Sequence, residues 1–174
     1  MTNARKILMG AAGASGGGAG NFALAITDNS AYFRSTFAYG IAIDGAGNYF
    51  VVGKVYTSTR YGYIIKIDPE GTILSSARID ASGISYEAFS ICIDSSDNIY
   101  IGGRANGNLP YIIKYNSSLS LQWAYEYSGN GTVQGHYQGS YPAVKTDGTD
   151  VFMVYAASIS GAGTRGVMLR VACS

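Results

Sequence analysis

Three stretches of this chain, residues 41–53, 91–103 and 143–155, are versions of one another. Each runs from a short apolar strand through an aspartate-led turn into a second apolar strand, and the turn aspartates Asp44, Asp94 and Asp147 lie 50 and 53 residues apart. A strand-rich period of that length is the signature of a radially repeated all-β unit. A repeat of strands carries no chemistry of its own. Function has to come from what the repeats display and from what the chain is attached to.

A second half-unit sits between these copies. Residues 63–74 and 111–123 match position for position, with Lys66 and Lys114 48 residues apart, and weaker copies fall at 22–33 and 167–171. The full unit is strand, tight turn, strand, loop, strand, tight turn, strand. Ile, Val, Tyr and Phe fill short alternating runs, and Asp-Gly, Gly-Asn, Asp-Asn and Pro-Glu-Gly supply the turns. Long helical periodicity is missing throughout. Four-stranded units of roughly 40–50 residues have the size of propeller blades.

The aspartate-led hairpin, the strand ending in Gly53 or Gly103, and the Tyr-Ile-Ile-Lys strand at Tyr63 and Tyr111 together resemble the bacterial and phage β-propeller repeats often called SBBP-type. The resemblance covers residues 21–174 and implies an all-β fold of antiparallel four-stranded units forming an incomplete ring. The last unit departs from it, with Tyr155 in place of the glycine and its fourth strand missing. The expected division is a tail and Gly/Ala linker over 1–20, a partial unit over 21–40, units over 41–90 and 91–142, and a partial unit over 143–174.

The alternation within strands predicts that Ile41, Ile43, Ile91, Ile93, Tyr63, Ile65, Tyr111 and Ile113 make up most of the buried face, and that Lys66 and Lys114 point the same way. Three and a quarter units cannot close a ring that takes 4–8 blades. Either further units beyond Ser174 or another subunit is therefore expected to complete it, the former preferred because residues 167–171 match a third strand.

Charged residues make up 13% of the chain, so its surface polarity comes largely from Ser, Thr, Asn, Gly and fifteen tyrosines. Tyrosine suits wet interfaces, although strand propensity also explains it. The net charge of +1 leaves no basic stripe for nucleic acid. Cys92 and Cys173 sit in strand-like runs and read as small buried hydrophobes, their redox state open.

The first twenty residues are different material. Arg5 and Lys6 precede an apolar hook, Ile7, Leu8 and Met9, and residues 10–20 are Gly, Ala and Ser only. A secretory signal ending near Ala14 is one reading, diluted by two glycines in its apolar region. Nothing approaches the length of a membrane span. The other reading is a docking peptide, in which the hook fills a groove and the spacer decouples the folded part. Residues 3–18 are similar to the start of structural proteins of tailed bacteriophages, particularly those of aquatic hosts, and this resemblance implies a virion component.

Catalytic chemistry is not announced. The one histidine, His136, lies in a glycine-rich loop without a partner for general-base work. That loop, with Tyr137 and Tyr141, is the candidate for ligand or partner contact. The aspartate turns distantly resemble calcium loops, but a cage of six to eight oxygens needs more carboxylates, and side-chain bonding within the turn accounts for them. No zinc spacing, phosphate loop or nucleophile elbow is present.

The expectation is thus a non-enzymatic, cofactor-free and metal-free structural component of a phage particle, a tail fibre or tail-attached appendage involved in host attachment. Its partners would be tail, neck or adaptor proteins through Arg5, Lys6, Ile7, Leu8 and Met9, further copies of itself as a homo-oligomer, and a host-surface glycan. The alternative is a secreted or surface carbohydrate-binding adhesin.

Overall fold

A computed structural model describes residues 35–56, 60–80, 84–105, 108–128, 132–133, 141–159 and 161–173. Among them every regular element is a strand, and the strands form three antiparallel sheets. The all-β repeat architecture expected from the sequence is what the chain adopts, and among the described residues the array is open.

The first sheet is a meander of β1 (Thr36–Ile43), β2 (Tyr49–Tyr56), β3 (Arg60–Ile67) and β4 (Ile73–Ile79). The second repeats it with β5 (Tyr86–Ile93), β6 (Ile99–Ala105), β7 (Leu109–Tyr115) and β8 (Leu121–Glu126). In the third, β10 (Ala143–Thr146), β11 (Asp150–Ile159) and β12 (Gly163–Ala172) are joined by β9 (Thr132–Val133), which pairs with the far end of β11. Its inner position is thus shared by two short strands.

One device recurs in five of the tight turns. Asp44 Oδ1 accepts hydrogen bonds from the amides of Ala46 (3.0 Å) and Asn48 (2.8 Å), and its Oδ2 accepts from the Asn48 side chain (2.8 Å). Asp94 does the same with Ser96, Asn98 and the Asn98 side chain, each at 2.9 Å. Asp147 holds Thr149 and Asp150, Asp68 holds Glu70 and Thr72, and Asn116 holds Ser118 and Ser120. A side-chain oxygen that takes the amides two to four residues ahead replaces the missing ladder bonds and fixes the hairpin.

These bonds favour the carboxylate form. At Asp44 and Asp94 burial pushes the pKa up, but the hydrogen bonds from Asn48 and Asn98 outweigh it, and both pKa values are lowered. The amide of Asp150 leads the lowering at Asp147. Groups with depressed folded-state pKa values contribute stability that is complete above the ordinary aspartate value, about 4, and is lost as pH falls through the folded values. Thermal melts should therefore be level between about pH 7 and 5 and fall steeply below about 4. Asp94→Asn, which keeps the acceptor but not the charge, should flatten that fall; melts unchanged down to about pH 3 would exclude the turn carboxylates as its source.

The sheets stack face to face. Phe50, Val52 and Ile64 of the first sheet pack with Ile99, Ile101 and Ile113 of the second, and Tyr100 and Ile112 on the second sheet's other side pack with Val144, Val151 and Met153 of the third. At each junction the trailing face of one sheet thus meets the leading face of the next. The second sheet is covered on both faces, and every residue of β6 is buried.

This corrects part of the expected core. Tyr63, Ile65, Tyr111 and Ile113 are buried and Ile91 and Ile93 half-buried, but Ile41 is 63% and Ile43 59% exposed. Alternation assigned them to the right face, pairing Ile41 with Val51 and Ile43 with Tyr49. That is the leading face of the first sheet, where Tyr63, Ile65 and Ile67 of the interior strand β3 are covered but Ile41 and Ile43 of the edge strand β1 are not.

Candidate functional site

Where the first two sheets meet, their second strands carry a cation just after the glycine: Lys54 after Gly53 in β2 and Arg104 after Gly103 in β6. Both point at Glu87 of β5. Arg104 donates to Glu87 Oε2 through Nε at 2.7 Å and Nη2 at 2.6 Å, and Lys54 Nζ lies 3.5 Å from Oε1. Arg60 of β3 adds a longer contact at 3.4 Å from the rim. Lys54 is 1% and Glu87 2% exposed, so this is a buried ionic cluster with three cations on one carboxylate.

Aromatic rings take up the surplus positive charge. Lys54 Nζ lies 5.5 Å from the centroid of Phe37, 5.4 Å from Tyr39, 4.7 Å from Tyr56 and 5.8 Å from Phe89. Arg104 faces Phe89 and Arg60 faces Tyr56. The negative face of a ring stabilises a cation, more so when water is excluded. Burial raises the pKa of Tyr39, although the neighbouring Lys54 ammonium opposes the rise.

Two matching bulges supply this geometry. The pairing of β1 with β2 shifts between Ala38 and Gly40, and that of β5 with β6 between Ala88 and Ser90, leaving Tyr39 and Phe89 as the extra residues. A bulge re-aims the side chain it carries. Opposite each bulge sits the glycine: a Cβ on Gly53 would lie 1.9 Å from the Phe37 carbonyl oxygen, and one on Gly103 2.1 Å from that of Glu87. Tyr63 and Tyr111 lie over these glycines, and Tyr63 donates to the Phe37 carbonyl at 3.1 Å. In the third sheet Tyr155 occupies the glycine's place, and β10 pairs without a bulge over four residues only.

Of the loop residues expected to make contacts, Tyr141 joins this cluster. Its ring stacks on Phe89 at 4.9 Å and lies 5.1 Å from Tyr39, with 38% of the residue exposed. His136 and Tyr137 lie outside the described residues, as do Arg5, Lys6, Ile7, Leu8 and Met9. Lys54, Glu87, Arg104 and Tyr39 were missed, since they come from different units and form no local motif. The recurrence of a cation after Gly53 and Gly103 was the available signal.

Chemically the cluster can hold an anionic or hydroxyl-rich group against its rim, where Arg60 and Tyr141 reach solvent. Cys92 and Cys173 are free and buried in the core between the second and third sheets, and burial pushes the Cys92 thiol up to about 12. Burial also pushes the hydroxyl of Tyr86 up to about 12, with its short bond to Glu126 adding to the rise.

The repeat lysines align as expected. Lys66 lies 5.0 Å from the Phe50 ring and Lys114 5.6 Å from the Tyr100 ring, and each reaches the following unit: Lys66 donates to the Ser117 carbonyl at 3.4 Å, Lys114 to that of Cys173 at 2.7 Å. Arg170 holds the same place in β12, 6.0 Å from the Phe152 ring.

The β-propeller repeat family known as SBBP matches residues 71–110, a stretch that runs from the turn before β4 into β7. A crystal structure of a protein of unknown function from Bacteroides caccae is similar at 15% identity and a TM-score of 0.43, over 79% of this chain and 47% of that one. The chain thus spans less than half the length of that structure. No curated protein matches.

Proposed function

We propose that this β-propeller-repeat chain is a structural module of a tailed-phage particle, a tail fibre or tail-attached appendage anchored through residues 1–20 and presenting its repeats outward. One observation carries the structural reading: the polar side chains that recur with the repeat are committed to holding it. Asp44, Asp94 and Asp147 tie their own turns, Lys66 and Lys114 bridge to the next unit, and Glu87 gathers Lys54 and Arg104 between sheets. Such a framework positions whatever it displays. The virion setting is supported by the likeness of residues 3–18 to phage structural proteins. Extended, twenty residues reach up to roughly 66 Å, enough to tether the sheets well away from the anchoring surface.

A second reading, a secreted carbohydrate-binding module, is favoured by the partly exposed Tyr141 ring beside Tyr39 and Phe89. Rings of this kind suit wet, polar interfaces. Removal of residues 1–9 separates the two. The truncated chain should keep its strand content and melting temperature but fail to sediment with purified particles, while the full chain co-sediments with Met1 or Thr2 at its amino terminus. Truncated chain on the particle would sink the docking role, and a mature terminus near residue 15 in the culture fluid would establish secretion instead.

A further inference from the structure

The buried cluster carries more positive charge than its own anion takes up. Among the described residues Lys54, Arg60 and Arg104 meet the carboxylate of Glu87, and three cations against one carboxylate leave a surplus of two. Arg104 holds Glu87 Oε2 by two short bonds, at 2.7 and 2.6 Å. Lys54 stands off. Its Nζ lies 3.5 Å from Glu87 Oε1 and 3.4 Å from the Tyr56 hydroxyl, beyond the roughly 2.7–2.9 Å of a charge-assisted bond. The ammonium is thus buried but loosely paired. Arg60 is the member of the set that solvent reaches, with 45% of its side chain exposed and Nη1 3.4 Å from the same Glu87 oxygen.

The exposed rings converge on the same place. Tyr39 and Tyr56 face Lys54 Nζ at 5.4 and 4.7 Å from their centroids. Phe37 stacks on Tyr39 at 6.2 Å and Tyr141 lies 5.1 Å from it, and these two outer rings are 41% and 38% exposed. Arg60 lies on the Tyr56 ring at 4.8 Å. Stacking the repeats does not demand this arrangement. In β11 the place of Lys54 and Arg104 falls to Ala156, and β10 pairs with β11 without a bulge, so among the described residues the next junction has no counterpart.

We infer that this rim binds an acidic sugar, a uronic-acid ring whose carboxylate lies on Arg60 above the Lys54 charge and whose C–H face packs on Tyr141. A planar carboxylate matches the fork of a guanidinium, and the surplus charge beneath draws an anion to it. The amphipathic face of a tyrosine suits a ring that alternates C–H and hydroxyl groups. The inference rests on the carbohydrate-binding reading and names the class of sugar. It is independent of residues 1–20 and of the number of repeats in the array.

Calorimetric titration of the full chain at low salt with D-glucuronate, D-glucose and acetate tests it. Glucuronate should bind at least about 10-fold more tightly than glucose, which lacks the carboxylate, or acetate, which lacks the ring. Arg60→Ala should weaken glucuronate about 10-fold and leave glucose unchanged, and Tyr141→Ala should weaken glucuronate about 5-fold, both with the parent circular dichroism. Glucose bound as tightly as glucuronate, or glucuronate indifferent to Arg60→Ala, would overturn the acidic-sugar inference and leave a carbohydrate module standing. Acetate matching glucuronate would overturn it by showing an anion site that ignores the sugar. Glucuronate that does not bind at about 10 mM would overturn it as well, and a glycan array that retains neither acidic nor neutral sugars would remove the carbohydrate reading with it.

Discussion

Glu87→Ala is expected to cost about 3–5 kcal/mol, the range for removing one partner of a buried ion pair. Among the described residues the carboxylate is the one anion where these charged groups meet, and its loss leaves the Lys54 ammonium and Arg104 guanidinium between two sheets. The rings around Lys54 offset part of that, since a desolvated cation on an aromatic face is worth about 2 kcal/mol, but they cannot replace the two short bonds from Arg104. Arg60→Ala serves as the control. Its side chain is 45% exposed and its contact long, so urea denaturation should register less than about 1 kcal/mol. The triple change Lys54→Met, Glu87→Leu, Arg104→Met should recover most of the loss, because apolar side chains of similar size often substitute for a buried ionic group at little cost. A Glu87→Ala protein within about 1 kcal/mol of the parent would mean that the cations reach water and that the cluster does not hold the sheets together.

The second large effect is at Gly103. Alanine there places its Cβ 2.1 Å from the Glu87 carbonyl oxygen and 2.6 Å from the Tyr111 ring, and both neighbours are fixed, one as backbone at a bulge and the other fully buried. Overpacking of a tight core costs about 1–3 kcal/mol and more where the neighbours cannot move, so a loss of at least about 3 kcal/mol is expected, measured by urea denaturation. Gly53→Ala should behave alike, given its 1.9 Å overlap with the Phe37 carbonyl oxygen. If Gly103→Ala melts with the parent, the bulge is not rigid, and the tyrosine over the glycine is not what fixes it.

The strands, their turns and the equivalence of successive units could be read from the chain because they rest on local chemistry. Asp44, Asp94 and Asp147 bond to amides two to four residues ahead, so each turn is written in a few adjacent letters. Lys66 and Lys114 were likewise legible, as their surroundings repeat with their sequence. Burial was legible only by half. Alternation separates the two faces of Ile41 and Ile43 but cannot say which face meets another sheet, and in a stack a middle strand such as β6 buries both. The ionic cluster was out of reach for another reason. Lys54, Glu87 and Arg104 come from three strands in two sheets, and the bulges that aim Tyr39 and Phe89 depend on a glycine in the facing strand, so no window of sequence contains the arrangement.

Each hydrogen-bond ladder is confined to its own sheet among the described strands, and neighbouring sheets are joined by side chains and a few polar ties. Under tension along the chain, this divides the molecule into links in series. A sheet can peel hairpin by hairpin, its bonds breaking one after another, without a shared ladder pulling its neighbour open. One sheet of about 45 residues then releases on the order of 150 Å of chain before the load passes to the next. An array of this kind lengthens in steps and spends the force gradually, as a shock absorber does.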